Sequence, residues 1–185
     1  MKQVLRLLGF GAAALIFQGV LAGVLPPRMC PDLTFLVVVA TGLCAPLTSG
    51  LLVATALGYA TDLLSNSLLG THALLFAIAY AATRRGDRKL NLRGNLPRAI
   101  FVAFLTVAYA LGLSGLGWAF GRTALLSLAL VPSLLLHAAM NALAIPFVSS
   151  AVVHLAGAAP DEEIGRRLLR FDPRRPGAWR SDSLR

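Results

Sequence analysis

Four long stretches of this chain contain no charged side chain, and they restrict the possible folds more than any other feature. They cover residues 7–27, 33–61, 99–121 and 123–160. A helix needs about 20 mostly apolar residues to cross the hydrocarbon core of a bilayer. A chain of 185 residues that is 57% hydrophobic and 14% charged has too much apolar surface to bury in a soluble globule. The sequence therefore predicts an all-α, polytopic membrane helical bundle.

The basic residues are concentrated in three places, which predicts the number of crossings. They lie before the first apolar stretch, between residues 84 and 98, and after residue 165, with Arg28 and Arg122 as exceptions. Basic segments of membrane proteins stay on the cytoplasmic side, so an even number of helices should separate each pair. The chain lengths then give about six transmembrane helices with both termini cytoplasmic. On this interpretation the net charge of +9 reports orientation, and we expect no nucleic-acid partner.

Turn residues and composition divide the chain into elements. The predicted helices lie near residues 4–25, 33–45, 48–64, 70–83, 99–118 and 123–153, within a transmembrane bundle of residues 1–157. Between residues 33 and 83 the chain is tight, so at least one helix should be short, tilted or re-entrant. Pro132 and Pro146 should kink or subdivide the long last run. Residues 158–185 are predicted to be a basic cytoplasmic tail, with a short helix followed by disorder.

One face of the third predicted helix carries small residues and a carboxyl group at four-residue spacing. These residues are Gly50, Ala54, Gly58 and Asp62. Small side chains let membrane helices approach closely, so this face should build the bundle or receive a partner helix. A carboxyl group in lipid is costly and should face the protein interior. Asp62 is therefore a structural hydrogen-bonding group near the outer interface, a proton or substrate site, or a partner contact.

The last predicted helix carries an intramembrane polar stripe of Ser133, His137 and Asn141, again four residues apart. Polar groups in lipid must find partners, so we expect interhelical hydrogen bonds from this stripe. The helical rise counted from each helix start places Asp62 nearer to the membrane depth of Ser133 than to that of His137. We therefore expect no direct pair between Asp62 and His137. His72 should lie at the interface beside the outer turn.

The sequence offers little support for catalysis or cofactor binding. The three histidines lack the spacing of a metal site, and no nucleophile elbow or P-loop is present. Ser133 and His137 lie on one helix, where alignment as nucleophile and base is rare. We expect a non-enzymatic protein with no catalytic residue, no cofactor and no bound metal.

Several short segments, in order, resemble the MreD family of rod shape-determining membrane proteins. The resemblance rests on Pro31-Asp32-Leu33, on Gly58-Tyr59-Ala60-Thr61-Asp62, on Gly70-Thr71-His72-Ala73, and on Asn141-Ala142-Leu143-Ala144 followed by Pro146. Pro46 and Gly50 fit the same pattern. The family-motif residues in this chain are therefore Pro31, Asp32, Gly70, His72, Asn141 and Pro146.

The resemblance implies a non-catalytic scaffold of the cell-wall elongation complex in a bacterial inner membrane. Its implied partners are MreC most directly, then the MreB cytoskeleton, a RodA-type glycosyltransferase and a penicillin-binding transpeptidase, together with membrane lipid. The family is also similar to the substrate-binding subunits of energy-coupling-factor transporters. A substrate-binding subunit for a vitamin or another small molecule therefore stays open as an alternative.

Overall fold

A computed structural model describes residues 2–26, 28–65, 67–90, 92, 94–121 and 130–157, and there the backbone forms six α-helices and no strand. The helices are α1 (Lys2–Val24), α2 (Leu33–Cys44), α3 (Leu47–Ser65), α4 (Thr71–Leu90), α5 (Asn95–Ala119) and α6 (Val131–Ala156). Four of them, α1, α3, α5 and α6, are long and apolar enough to cross a membrane. The predicted helical membrane bundle is confirmed. The predicted tail, residues 158–185, and the predicted helical residues 123–129 lie outside the described residues.

The helices on either side of the central basic segment are longer than predicted. α4 continues beyond residue 83 to Leu90, and α5 begins at Asn95 rather than at residue 99. Arginine and lysine are good helix formers, and cations near the end of α4 interact favourably with the helix dipole. Pro97 lies in the first turn of α5, where its missing N–H breaks no helical hydrogen bond. Charge therefore marks where α4 leaves the apolar region, but it does not end the helix.

α6 is one continuous helix. The expected subdivision of this run at Pro132 or Pro146 does not occur. Pro132 lies in the first turn, which tolerates proline, and Pro146 lies in the helix interior. The hydroxyl of Ser149 donates to the Pro146 carbonyl at 3.1 Å.

α2 is the shortest helix and lies at the centre of the bundle. Its 12 residues span about 18 Å, against about 30 Å for a hydrocarbon core. Residues 34–42 are all buried, and the helix packs against α1, α3, α4 and α6. The expectation of a short helix in this region is confirmed. The start of α2 lies level with Gln18, which is about 9 Å before the end of α1, so α2 begins inside the bundle.

Arginine side chains bring three helix ends together at one end of the bundle. Arg6, near the start of α1, donates to the carbonyl of Leu155 near the end of α6 at 3.3 Å. Arg98, near the start of α5, donates to the Ser149 hydroxyl at 2.8 Å. We call this the basic end. The opposite end, where Asp32 and Asp62 lie, we call the acidic end.

The small-residue face of α3 packs directly on α4. A Cβ atom added to Gly58 would lie 2.5 Å from the Cα atom of Ala73, and the Tyr80 ring fills the position of a Cβ atom on Gly50. Ala54, between the two glycines, is fully buried. The face therefore builds the α3–α4 hairpin in this structure and is covered by α4.

We expect Gly58→Ala to destabilise the protein, because the added methyl group meets the backbone of α4 rather than a side chain that can move. The loss should be about 1–3 kcal/mol of the free energy of unfolding. Gly115→Ala is the matched control, since a Cβ atom there has no neighbour within 4 Å. It should have no effect or stabilise by up to about 1 kcal/mol. Thermal unfolding in detergent measures both, and equal midpoints for the two variants would contradict the close packing.

Candidate functional site

The carboxylate of Asp62 caps the first turn of α4. Asp62 lies near the end of α3 and is 1% exposed. Its Oδ2 atom accepts from the backbone N–H of Gly70 at 2.9 Å and from that of Ala73 at 3.3 Å, and its Oδ1 atom accepts from the His72 N–H at 3.0 Å. The first N–H groups of a helix have no partner within the helix and favour a negative charge. Asp62 therefore provides the hydrogen-bond acceptors that these backbone N–H groups lack within α4.

Two further side chains complete the Asp62 cluster. His72 Nδ1 lies 2.7 Å from Asp62 Oδ1, and the Ser67 hydroxyl donates to the same oxygen at 2.7 Å. Ser67 Oγ also lies 3.2 Å from His72 Nδ1. In a catalytic triad the acid and the nucleophile contact different ring nitrogens of the histidine, so that a proton can pass across the ring. Here both contact Nδ1, so the geometry differs from that of a catalytic triad.

Gly70 has a conformational role in the same turn. Its backbone φ is +93°, in the left-handed region that favours glycine. This conformation directs the Gly70 N–H to Asp62.

Asp32 caps α2 in a similar way. Its side chain accepts from the backbone N–H of Phe35 at 3.0 Å, and Gln18 of α1 accepts from the N–H of Thr34 at 3.2 Å. The Pro31 carbonyl accepts from the Leu33 N–H at 3.1 Å. The first backbone donors of α2 are thus satisfied inside the protein.

Asn141 joins the start of α2 to two other helices. Its side-chain oxygen accepts from the backbone N–H of Asp32 at 2.8 Å, and its side-chain nitrogen donates to the Thr106 hydroxyl of α5 at 3.2 Å. Asn141 and Thr106 are both buried. A buried asparagine with both ends of its amide bonded fixes the relative positions of α2, α5 and α6.

An aromatic cluster fills the space between the two caps. The ring of Tyr109 lies 4.9 Å from that of Phe35, 5.8 Å from that of Phe76 and 6.1 Å from that of His72, measured between centroids. These separations are typical of rings in direct contact. The rings therefore pack against each other between the caps of α2 and α4.

The other end of α2 also receives help from α4. The Tyr80 hydroxyl donates to the carbonyls of Ala45 and Pro46 at 3.2 and 3.0 Å, and Arg84 donates to the Ala45 carbonyl. The turn between α2 and α3 therefore lies against α4 with its carbonyl groups paired.

The predicted site residues do not form one site. Asp32 and Asn141 belong to the cap of α2, while Asp62, Gly70 and His72 belong to the cap of α4. Ser133 donates to the Leu130 carbonyl of its own helix, and His137 is half-buried. The described partners of Asp62 are on α4 and in the preceding turn.

Four residues that complete these contacts were not predicted from the sequence. They are Gln18, Ser67, Tyr80 and Thr106. Tyr80 had a usable signal, because His72, Phe76 and Tyr80 repeat at four-residue spacing on one face of α4. Gln18 and Thr106 carry no such signal, since their partners are distant in sequence.

No group of three or more histidine, cysteine, aspartate or glutamate side chains close enough to hold a metal ion occurs in the described ranges. The polar groups at the acidic end instead satisfy helix ends and each other.

The fold and the caps define a polytopic helical membrane protein whose buried polar groups hold its own helices in place. A family model described as rod shape-determining protein MreD matches residues 4–152, which reach from α1 into α6. The chain belongs to the MreD family, and the resemblance found in the sequence is confirmed. It is therefore a rod shape-determining membrane protein. No curated protein and no solved structure matches the chain, so the similarity to transporter subunits stays a prediction.

We expect Asp62→Asn to lower the free energy of unfolding by about 1–3 kcal/mol, because the amide nitrogen would face backbone N–H donors that the carboxylate accepts. Asp87→Asn is the matched control, since Asp87 lies on α4 and is not part of the cap. Thermal unfolding of the two variants in detergent tests the difference. If Asp62→Asn unfolds at the same temperature as Asp87→Asn, the carboxylate is not needed as a cap.

Proposed function

We propose that this protein is a non-catalytic scaffold of the bacterial cell-wall elongation complex and that it maintains rod shape by binding MreC. The family match carries the proposal, because it covers residues 4–152 and so includes at least part of each of the six helices. The binding partner comes from the family resemblance, and MreB, a RodA-type glycosyltransferase and a penicillin-binding transpeptidase follow as linked partners.

The use of the buried polar groups supports a structural role. The side chains of His72 and Ser67 both contact one carboxylate oxygen of Asp62. The same oxygen accepts from the backbone N–H of His72 in the first turn of α4. Asp32 and Asn141 are engaged at the first turn of α2. Side chains that are hydrogen-bonded to helix ends are poor candidates for acid–base chemistry, because that chemistry needs a side chain free to reach a substrate.

The aromatic cluster also favours a scaffold over a transport subunit. Phe35, Phe76, Tyr109 and His72 contact each other between the two caps, with centroid distances of 4.9–6.2 Å. A substrate-binding subunit needs open space beside such groups, and at this place the rings occupy it.

The charge distribution supports an orientation in which the basic end is cytoplasmic. Arg6, Arg84, Arg85, Arg88 and Arg98 all belong to helix segments at this end, and cations favour the cytoplasmic side. The acidic end then faces the periplasm of a bacterial inner membrane. In this orientation MreC meets the outer turns, and the basic end meets cytoskeletal filaments.

The turn between α3 and α4 is the part of the acidic end that we assign to MreC. Leu69 is 65% exposed in this turn, and Phe120 is 67% exposed just after α5. The two residues line a groove of about 310 Å³ together with Leu116 and others. Exposed apolar side chains at the rim of a membrane protein can anchor a partner.

Depletion of the protein from its own rod-shaped cells tests the function. We expect the cells to become round and swollen while vitamin uptake is unchanged. Normal rods with a growth defect that a vitamin corrects would support the transport alternative instead.

Co-purification with MreC from membranes tests the assigned surface. We expect Leu69→Gln to reduce the recovered MreC several-fold, because it places a polar group in the apolar rim. Leu96→Gln is the matched control, since Leu96 is also mostly exposed, at 73%, but lies at the basic end. Equal recovery with both variants would show that the α3–α4 turn is not part of the interface. No recovery of MreC with the wild-type protein would contradict direct MreC binding.

A further inference from the structure

Three arginines of α4 line one cavity at the basic end. The cavity has a volume of about 210 Å³ and lies between the start of α3 and the last turns of α4. Its lining residues are Leu47, Ala81, Arg84, Arg85 and Arg88. A cavity lined by several guanidinium groups is complementary to an anion, and guanidinium is well suited to phosphate because it presents several donors in one plane.

The arginines of this cavity are not neutralised by a carboxylate in the part of the chain that the structure describes. The ion pair found there joins Asp62 to His72 at the opposite end of the bundle. Asp87, although on the same helix, does not line the cavity. Arg84 is held in place by its bond to the Ala45 carbonyl, while Arg85 and Arg88 are exposed.

The same face of α4 changes from apolar to basic along its length. Leu74, Ile78, Ala81, Arg85 and Arg88 follow each other at spacings of three and four residues, so they form one stripe. Leu74 and Ile78 are about half exposed, at 51% and 53%. Ile78 lies about 4.5 Å along the helix from Ala81, and Ala81 lines the cavity, so the apolar surface adjoins the cationic cavity.

Leu47 gives the cavity a second apolar wall on α3. It is 53% exposed, and Leu51, one turn further along α3, is 39% exposed. The two helices therefore present an apolar surface on the membrane side of the cavity and guanidinium groups at its basic end. A phospholipid has the same order of groups along its length, with acyl chains followed by a phosphate.

We propose that this cavity binds the phosphate of an anionic phospholipid, whose acyl chains lie along the apolar part of the stripe. A bound lipid of this kind joins the start of α3 to the end of α4. The site is separate from the surface assigned to MreC, so its test does not depend on the partner of the protein.

The experiment uses the full-length protein, stripped of lipid in a neutral detergent and titrated with one lipid at a time. Native mass spectrometry gives the affinity for the first bound molecule of dioleoyl phosphatidylglycerol and of dioleoyl phosphatidylcholine. We expect phosphatidylglycerol to bind roughly tenfold more tightly or better, since each nearby cation favours an anionic lipid. Equal affinities for the two lipids would overturn the proposal.

The double variant Arg85→Gln/Arg88→Gln should lose most of this preference, while Arg85→Lys/Arg88→Lys should keep most of it. Lys2→Gln/Lys89→Gln is the matched control, because it removes the same charge from exposed positions that do not line this cavity. If the control variant loses the preference for phosphatidylglycerol to the same extent, the lipid is attracted by the overall positive charge and not by a specific site. Competition by glycerol phosphate at the same concentration as the lipid would identify a free anion as the ligand and would also overturn the proposal.

Discussion

The structure depends on one constraint, which is that helix ends buried among other helices must find hydrogen-bond partners within the protein. In water an unpaired backbone group is solvated, but in lipid it costs several kcal/mol. α2 is too short to reach both surfaces of a bilayer, so at least one of its ends lies inside the bundle. Asp32, Gln18 and Asn141 satisfy its start, and Tyr80 and Arg84 satisfy the turn that follows it.

The close pairing of α3 and α4 follows from the same constraint. Asp62 can cap α4 only if the two helices approach closely, and Gly58 permits this approach because a Cβ atom would meet the α4 backbone. The small residues and the carboxylate therefore act together, although they differ in chemistry. This explains why one face of α3 carries both.

The sequence predicted the membrane class, the number of helices and the family, because apolar length and motif order are local properties. It also predicted that the residues Gly50, Ala54, Gly58 and Asp62 share a face, since a helix has a fixed period. It did not predict which helix that face meets or that Asp62 caps α4. Those contacts depend on how the chain folds back through the turn at Gly70, and the pairing of Asn141 with Asp32 depends on residues more than one hundred positions apart.

The division of roles between the two ends follows from this arrangement. At the acidic end, the polar side chains of the two caps bond to helix ends, and exposed apolar residues such as Leu69 form the surface that we propose as a partner contact. At the basic end, Arg6, Arg84 and Arg98 bind carbonyl or hydroxyl groups of neighbouring helices. The remaining exposed arginines are available to anions at the membrane surface.

Hydrogen exchange of the wild-type protein in lipid nanodiscs tests the central claim most directly. Asp62 caps the start of α4, whereas α5 begins at Asn95 after Gly94, which has no side chain to cap it. We therefore expect the backbone amides of His72 and Ala73 to exchange much more slowly than that of Leu96, which occupies the corresponding turn of α5. Equal exchange rates at the two helix starts would contradict the account.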